Sequence, residues 1–131
     1  MSVQLRVDHA SKTVVAKAEG PVTSEEVRKH LLEERHYGGL PYAEIIDART
    51  FRPAFSSEEV REIVGLLRSF GQSSKLGPTA VVVGSPIAYG MMRMLEILAE
   101  DVCAIRPFWT MEEAEAWIEQ LRTAPPGTEP G

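Results

Sequence analysis

Three times along this chain an apolar, strand-like run gives way to a Ser or Thr followed three residues later by Glu: Thr23 with Glu26, Ser56 with Glu59, and Thr110 with Glu113. This spacing is a capping box. The hydroxyl accepts from the amide three residues on, the Glu carboxylate reaches back to the cap amide, and two donors that a helix start leaves unbonded are satisfied. Val22 with Val27 and Phe55 with Val60 stand at the flanking hydrophobic-staple positions of the first two boxes. A fourth start is marked by Ser85 as cap and Pro86 at the first helical position. Helix starts that recur between strand-like runs restrict the chain to an α/β layer architecture.

The strands follow from alternation. Val3, Leu5 and Val7, then Val14, Ala16 and Ala18, alternate with polar residues around a polar turn over 9–12, which predicts an antiparallel hairpin at a sheet margin. Tyr42 to Asp47, with Ala43, Ile45 and Ile46, predicts a short central strand. Thr79 to Val83 is β-branched almost throughout, as in a strand covered on both faces, and Asp101 to Phe108 is read as the fifth strand. The first helix is expected from Thr23 to the Gly38-Gly39 pair, and the second to end at Gly71 with Val60, Ile63, Val64, Leu67 and Phe70 inward. The third is expected to bury Ile87, Met91, Met94, Leu95 and Leu98, and the fourth Ala114, Trp117, Ile118 and Leu121. The order is β-β-α-β-α-β-α-β-α. Parallel strands need crossover helices, so the fold class is α/β with a mostly parallel five-stranded sheet and four helices. Residues 1–122 form one domain; 123–131, with three prolines and two glycines, read as a flexible tail.

Composition narrows the function classes. The 131 residues are 44% hydrophobic and 25% charged, the balance of an ordinary folded domain. A net charge of −5 argues against a broad nucleic-acid footprint. The one cysteine, Cys103, cannot form an internal disulfide, and no His/Cys cluster accompanies it. Neither a signal pattern nor an apolar run of about 18 residues is present, so a cytoplasmic protein without integral membrane association is expected.

Two segments carry a family resemblance: Tyr89-Gly90-Met91-Met92-Arg93-Met94-Leu95-Glu96 on the third helix, and Ile105 to Trp117, running through Phe108, Glu113 and Ala114. Together with the element order they resemble the SpoIIAA-like proteins of the STAS/SEC14 group, from the opening hairpin to Leu121. The resemblance implies a SpoIIAA-like (STAS) domain and a non-enzymatic regulatory or protein-interaction module. The alternative it implies is a SEC14-like carrier or sensor of a small apolar or anionic ligand. Members that act as phosphorylation switches have an Asp after the central strand, then two small hydroxyl residues and Gly, the second hydroxyl accepting phosphate. Asp47 fits, but Ala48, Arg49 and Thr50 follow, so Arg49 stands at the acceptor position. Ser56 and Ser57 are the displaced candidates; Ser56 already explains itself as a cap, and Glu58, Glu59 and Glu62 would repel a phosphate.

Ligands of open parallel sheets gather beyond the carboxyl ends of the strands. Asp47, Arg49, Arg52, Ser85 and Arg106, beside Trp109, are expected there, where arginines and helix-start amides suit an anionic group. The competing reading pairs Arg49 or Arg106 with Asp47 or Asp101. On the third helix Tyr89, Arg93 and Glu96 form a polar stripe beside Met91, Met92 and Met94, a surface for a protein partner, a second copy or an acyl group. The bland reading there is an Arg93 to Glu96 pair. Ser85 between strand and helix resembles a nucleophile elbow, but the Gly-x-Ser-x-Gly spacing is absent and His9, His30 and His36 all lie upstream, each read as a surface residue. No catalytic residue, metal site or cofactor is expected.

Overall fold

The computed structural model describes residues 3–123. Its elements are β1 (Val3–Asp8), β2 (Thr13–Val22), α1 (Ser24–His36), β3 (Ala43–Pro53), α2 (Ser57–Gly71), β4 (Thr79–Val83), α3 (Pro86–Leu98), β5 (Ile105–Phe108) and α4 (Met111–Thr123). The sheet runs β1-β2-β3-β4-β5, with β1 antiparallel to β2 and every later pair parallel. Helix α4 reaches Thr123, one residue into the segment expected as tail; the rest of that segment, 124–131, lies outside the described residues.

The caps form as the spacing demands. Thr23 Oγ1 accepts from Glu26 N at 3.2 Å while Glu26 Oε1 accepts from Thr23 N at 3.1 Å. Ser56 and Glu59 repeat the exchange at 3.2 and 2.9 Å. Such a cap is worth about 1 kcal/mol. Packing contributes more: α2 buries Val60, Ile63, Val64, Leu67 and Phe70, each worth roughly 1.5–3 kcal/mol out of water.

The sheet separates two cores. Ala18, Val22, Ala48, Phe51, Val81, Val83 and Ile105 pack under α1, α2 and α3. Ala43, Ala80 and Val82 pack on the other face against Ala114, Trp117 and Ile118 of α4. Parallel neighbours taken in sequence order, joined by crossovers of one hand, place all three connecting helices on one side. The terminal α4, free of that constraint, returns over the other.

Four expectations are corrected. Strand β3 continues past Asp47 to Pro53 because β2 accompanies it as far as the Val22 and Pro53 pair, beyond the end of β4 at Val83. Strand β5 begins at Ile105 rather than Asp101, since 99–103 close a turn in which Val102 and Cys103 both donate to Ala99 O at 2.9 Å. On α3 the expected Met91, Met94, Leu95 and Leu98 are half-buried against the core, but Ile87 is 75% exposed and the fully buried positions are Ala88 and Met92. His30 is a buried residue at 7% exposure. Where the α2–β4 loop meets the α1–β3 loop the backbones touch, and a Cβ on Gly77 would lie 2.1 Å from Tyr42 O, so only glycine fits.

Candidate functional site

The carboxyl edge does not gather its arginines into one site. Asp47 and Arg49, two apart on one face of β3, pair with each other, with Nε to Oδ1 at 2.9 Å and Nη2 to Oδ2 at 2.8 Å. The guanidinium holds the Asp47 carboxyl below its usual range. Arg52 is exposed in the β2–β3 extension, opposite Pro21. Arg106 stands opposite Ala80 near the amino end of β4, not at the carboxyl edge, and its guanidinium lies 6.0 Å from the ring centroids of Phe108 and Trp117. Asp101 pairs with Arg68 at 2.6 Å. Ser85 is the half-buried cap of α3, accepting from Ala88 N at 3.2 Å. Ser56 is engaged in its capping box, and Ser57 is exposed.

On α3, Arg93 pairs with Glu96 at 2.7 Å. Tyr89 stacks flat on Trp109, ring centroids 4.7 Å apart, which joins the outer side of α3 to the end of β5. Met92, expected on a docking surface, is buried and lines a partly open cavity.

That cavity, about 120 Å³, lies between the sheet and α1–α3, and its wall is mainly apolar, including Ile46, Phe51, Phe55, Leu67 and Val81 beside Met92. The volume is of the order of a cavity that holds benzene, about 150 Å³. Its polar side is a cluster the sequence reading missed: His30 and Glu34, one turn apart on α1, and Glu44 on β3, all buried. His30 Nε2 bonds Glu44 Oε2 at 2.8 Å. Burial, then the Glu44 charge and a hydrogen bond to Glu44, push the Glu34 carboxyl up to about 10, so at neutral pH it keeps its proton and donates to Glu44. Burial opposes a charge on His30, but the charge and hydrogen bond of Glu44, with Glu33 behind, prevail and raise its pKa. Nearby, burial and the two carboxyl groups push the Cys103 thiol up to about 12, and its Sγ donates to Gly77 O at 3.4 Å.

Two signals in the sequence pointed to the cluster. Val27, His30, Leu31 and Glu34 follow the i, i+3, i+4, i+7 spacing of a buried helix stripe, and Glu44 falls in phase with Ile46 and Ala48 on β3. Among the described residues these are the one set presenting three metal-ligating atoms within 4.8 Å of one another. A metal-bound imidazole hands its second N–H to an acceptor. His30 Nδ1 has no hydrogen-bond partner, so the set lacks that outer support.

No protein-family model and no curated protein sequence matches the chain. Among solved structures it is similar to an uncharacterized DUF3478-family protein with a SpoIIAA-like fold from Shewanella loihica PV-4, at TM-score 0.60 and 15% identity, over 89% of this chain and 94% of that one. The fold is SpoIIAA-like. A second likeness agrees: the anti-sigma factor antagonist SpoIIAA in its unphosphorylated form, at TM-score 0.55 and 18% identity, over 93% of this chain and 99% of that one. The STAS-type architecture expected from the sequence therefore stands. None of the helices among the described residues is long and apolar enough to cross a membrane.

Proposed function

We propose that this chain is a non-enzymatic STAS-type regulatory module that senses a small, largely apolar ligand held between the sheet and α1–α3. The cavity carries the reading: partly open to the outside, it offers about 120 Å³ against a mostly apolar wall, where a small apolar molecule would be taken out of water. Arg49, tied to Asp47 where a phosphoacceptor would stand, favours a ligand over a phosphate as the input. A hydrolytic role for Ser85 finds no support, since His9 bonds Tyr42 Oη at 2.7 Å and His30 bonds Glu44.

The output surface we assign is the outer side of α3. Its inner residues Ala88, Met92 and Leu95 belong to the core beside the cavity, while Ile87 and Ile97 are 75% and 55% exposed and Trp109 is stacked on Tyr89. One helix thus touches both the interior space and the outside. One of the similar folds is an anti-sigma factor antagonist, and regulation through a protein partner is the class of action carried over from it.

Methyl-resolved NMR of the purified protein with toluene tests the reading. Resonances of Val81 and Met92 are expected to shift saturably, and Ala48→Leu, which fills the cavity from the sheet, is expected to abolish the response. Unmoved methyl signals at millimolar toluene would sink it.

A further inference from the structure

His30, Glu34 and Glu44 are 7%, 6% and 3% exposed, with His30 and Glu34 one turn apart on α1 and Glu44 at the start of β3. Each presents one donor atom within 4.8 Å of the other two, and His30 Nε2 is already 2.8 Å from Glu44 Oε2. Stability does not account for such a set. Apolar side chains of similar volume would hold a core as well or better, and here one imidazole nitrogen, Nδ1, is left buried with no partner. One imidazole and two carboxylates are, in contrast, a donor set that zinc and its neighbours take up. Two ligands on a tetrahedral zinc, each at about 2.1 Å, stand about 3.4 Å apart, so side-chain torsions on α1 and β3 have at most about 1.4 Å to close.

We infer that these three residues form a site for a divalent transition-metal ion, zinc above all, held by His30 Nε2 and one oxygen each of Glu34 and Glu44. With the imidazole neutral and both carboxylates ionised, a dication leaves the buried set with no net charge, which removes the cost of burying a lone ion. The ion enters as the proton on Glu34 leaves. The cavity whose wall all three residues share is partly open and supplies the entry path. Three protein ligands leave a fourth position for water, as in open zinc sites. The bare Nδ1 sets the strength: a missing outer partner costs about 10–100-fold in metal affinity, so binding is reversible and micromolar rather than that of a structural zinc.

The metal site does not depend on the cavity holding an apolar ligand, and its test uses the metal alone. Zinc chloride is titrated by calorimetry into the wild-type chain after chelation, and cobalt chloride is followed by its visible absorption. Expected are one site with a micromolar Kd, cobalt bands of a four- or five-coordinate ion that zinc abolishes, and a shift of the His30 imidazole ¹⁵N resonances with those of His9 and His36 unmoved. Glu44→Gln keeps the shape of the side chain and removes one ligand charge; it is expected to weaken zinc by at least about 100-fold, while the double variant His9→Ala and His36→Ala leaves the affinity unchanged. Should Glu44→Gln not fold, the ¹⁵N shifts in the wild type decide alone. No zinc binding tighter than about 100 μM, zinc that moves His9 or His36 in place of His30, or an affinity unchanged in Glu44→Gln overturns the site.

Discussion

The Glu34 carboxyl makes the stability of this fold depend on pH in a way a surface acid would not. Its pKa rises from 4.5 to about 10 on folding, so the folded state holds a proton that the unfolded chain releases. The contribution is fully present below about pH 4.5 and is lost progressively as pH climbs towards 10, at about 1.4 kcal/mol per unit. Between pH 7 and pH 9 the loss is about 3 kcal/mol, a large share of the 5–15 kcal/mol typical of a domain. His30, also raised, adds to the loss in the lower part of that window. Glu34→Gln replaces the carboxyl with an amide that still donates to Glu44 but has no proton to lose. Urea denaturation of both proteins, followed by tryptophan fluorescence at half-unit steps from pH 7 to pH 9, should show the variant gaining on the wild type by about 1.4 kcal/mol per unit. A difference that stays constant within about 0.5 kcal/mol across the window, against the slope that linkage requires, would refute the buried protonated carboxyl.

Other expectations follow from contacts already described. Gly77→Ala forces a Cβ to within 2.1 Å of Tyr42 O and is expected to cost about 2 kcal/mol or more, whereas Gly65→Ala in α2 meets nothing within 4 Å and should stabilise by about 1 kcal/mol; urea midpoints report both. Arg49→Ala removes an ion pair whose arginine is 56% exposed and screened by solvent, so the urea midpoint should stay close to that of the wild type. Cys103, buried with its thiol pushed up to about 12, should resist iodoacetamide at pH 8 in the folded protein and react once urea unfolds it.

What could be read from the sequence was local. Capping boxes and alternation act within a few residues, so the starts of α1, α2 and α4 and the opening hairpin were legible. The face of α3 was legible only in part. Ile87, Ala88, Met91, Met92, Met94, Leu95, Ile97 and Leu98 spread apolar residues almost around the helix, and only packing decides that Met92 turns inward and Ile87 outward. The extension of β3 depended on how far β2 travels with it. The buried cluster was obscured by its neighbours: α1 carries Glu25, Glu26, Arg28, Lys29, Glu33 and Arg35, so His30 and Glu34 looked like two more solvated positions. That both face Glu44 is a tertiary fact, since residues 14 apart meet only once β3 is laid beside β2. Of the arginines expected at one edge, Arg49 met its local acid Asp47, as exposed cations near carboxylates commonly do, while Arg106 lies near the amino end of β4 over Phe108 and Trp117.

The uninterrupted strand order also bears on where such a protein can vary. A doubly wound sheet reverses its order once, its crossovers part on either side of the reversal, and the crevice between them receives the ligand. Here the count runs from β1 to β5 with no reversal, so the loops at the strand ends enclose no cleft. Space is instead available between the sheet and the layer formed by α1, α2 and α3. Loop exchange at the rim would therefore change what the outside meets and leave the interior chemistry alone, whereas a change on the inward stripe of α1, α2 or α3 would alter what the interior accepts. In this topology, selectivity for a small molecule and selectivity for a partner reside in different parts of the chain, and α3 is the element that belongs to both.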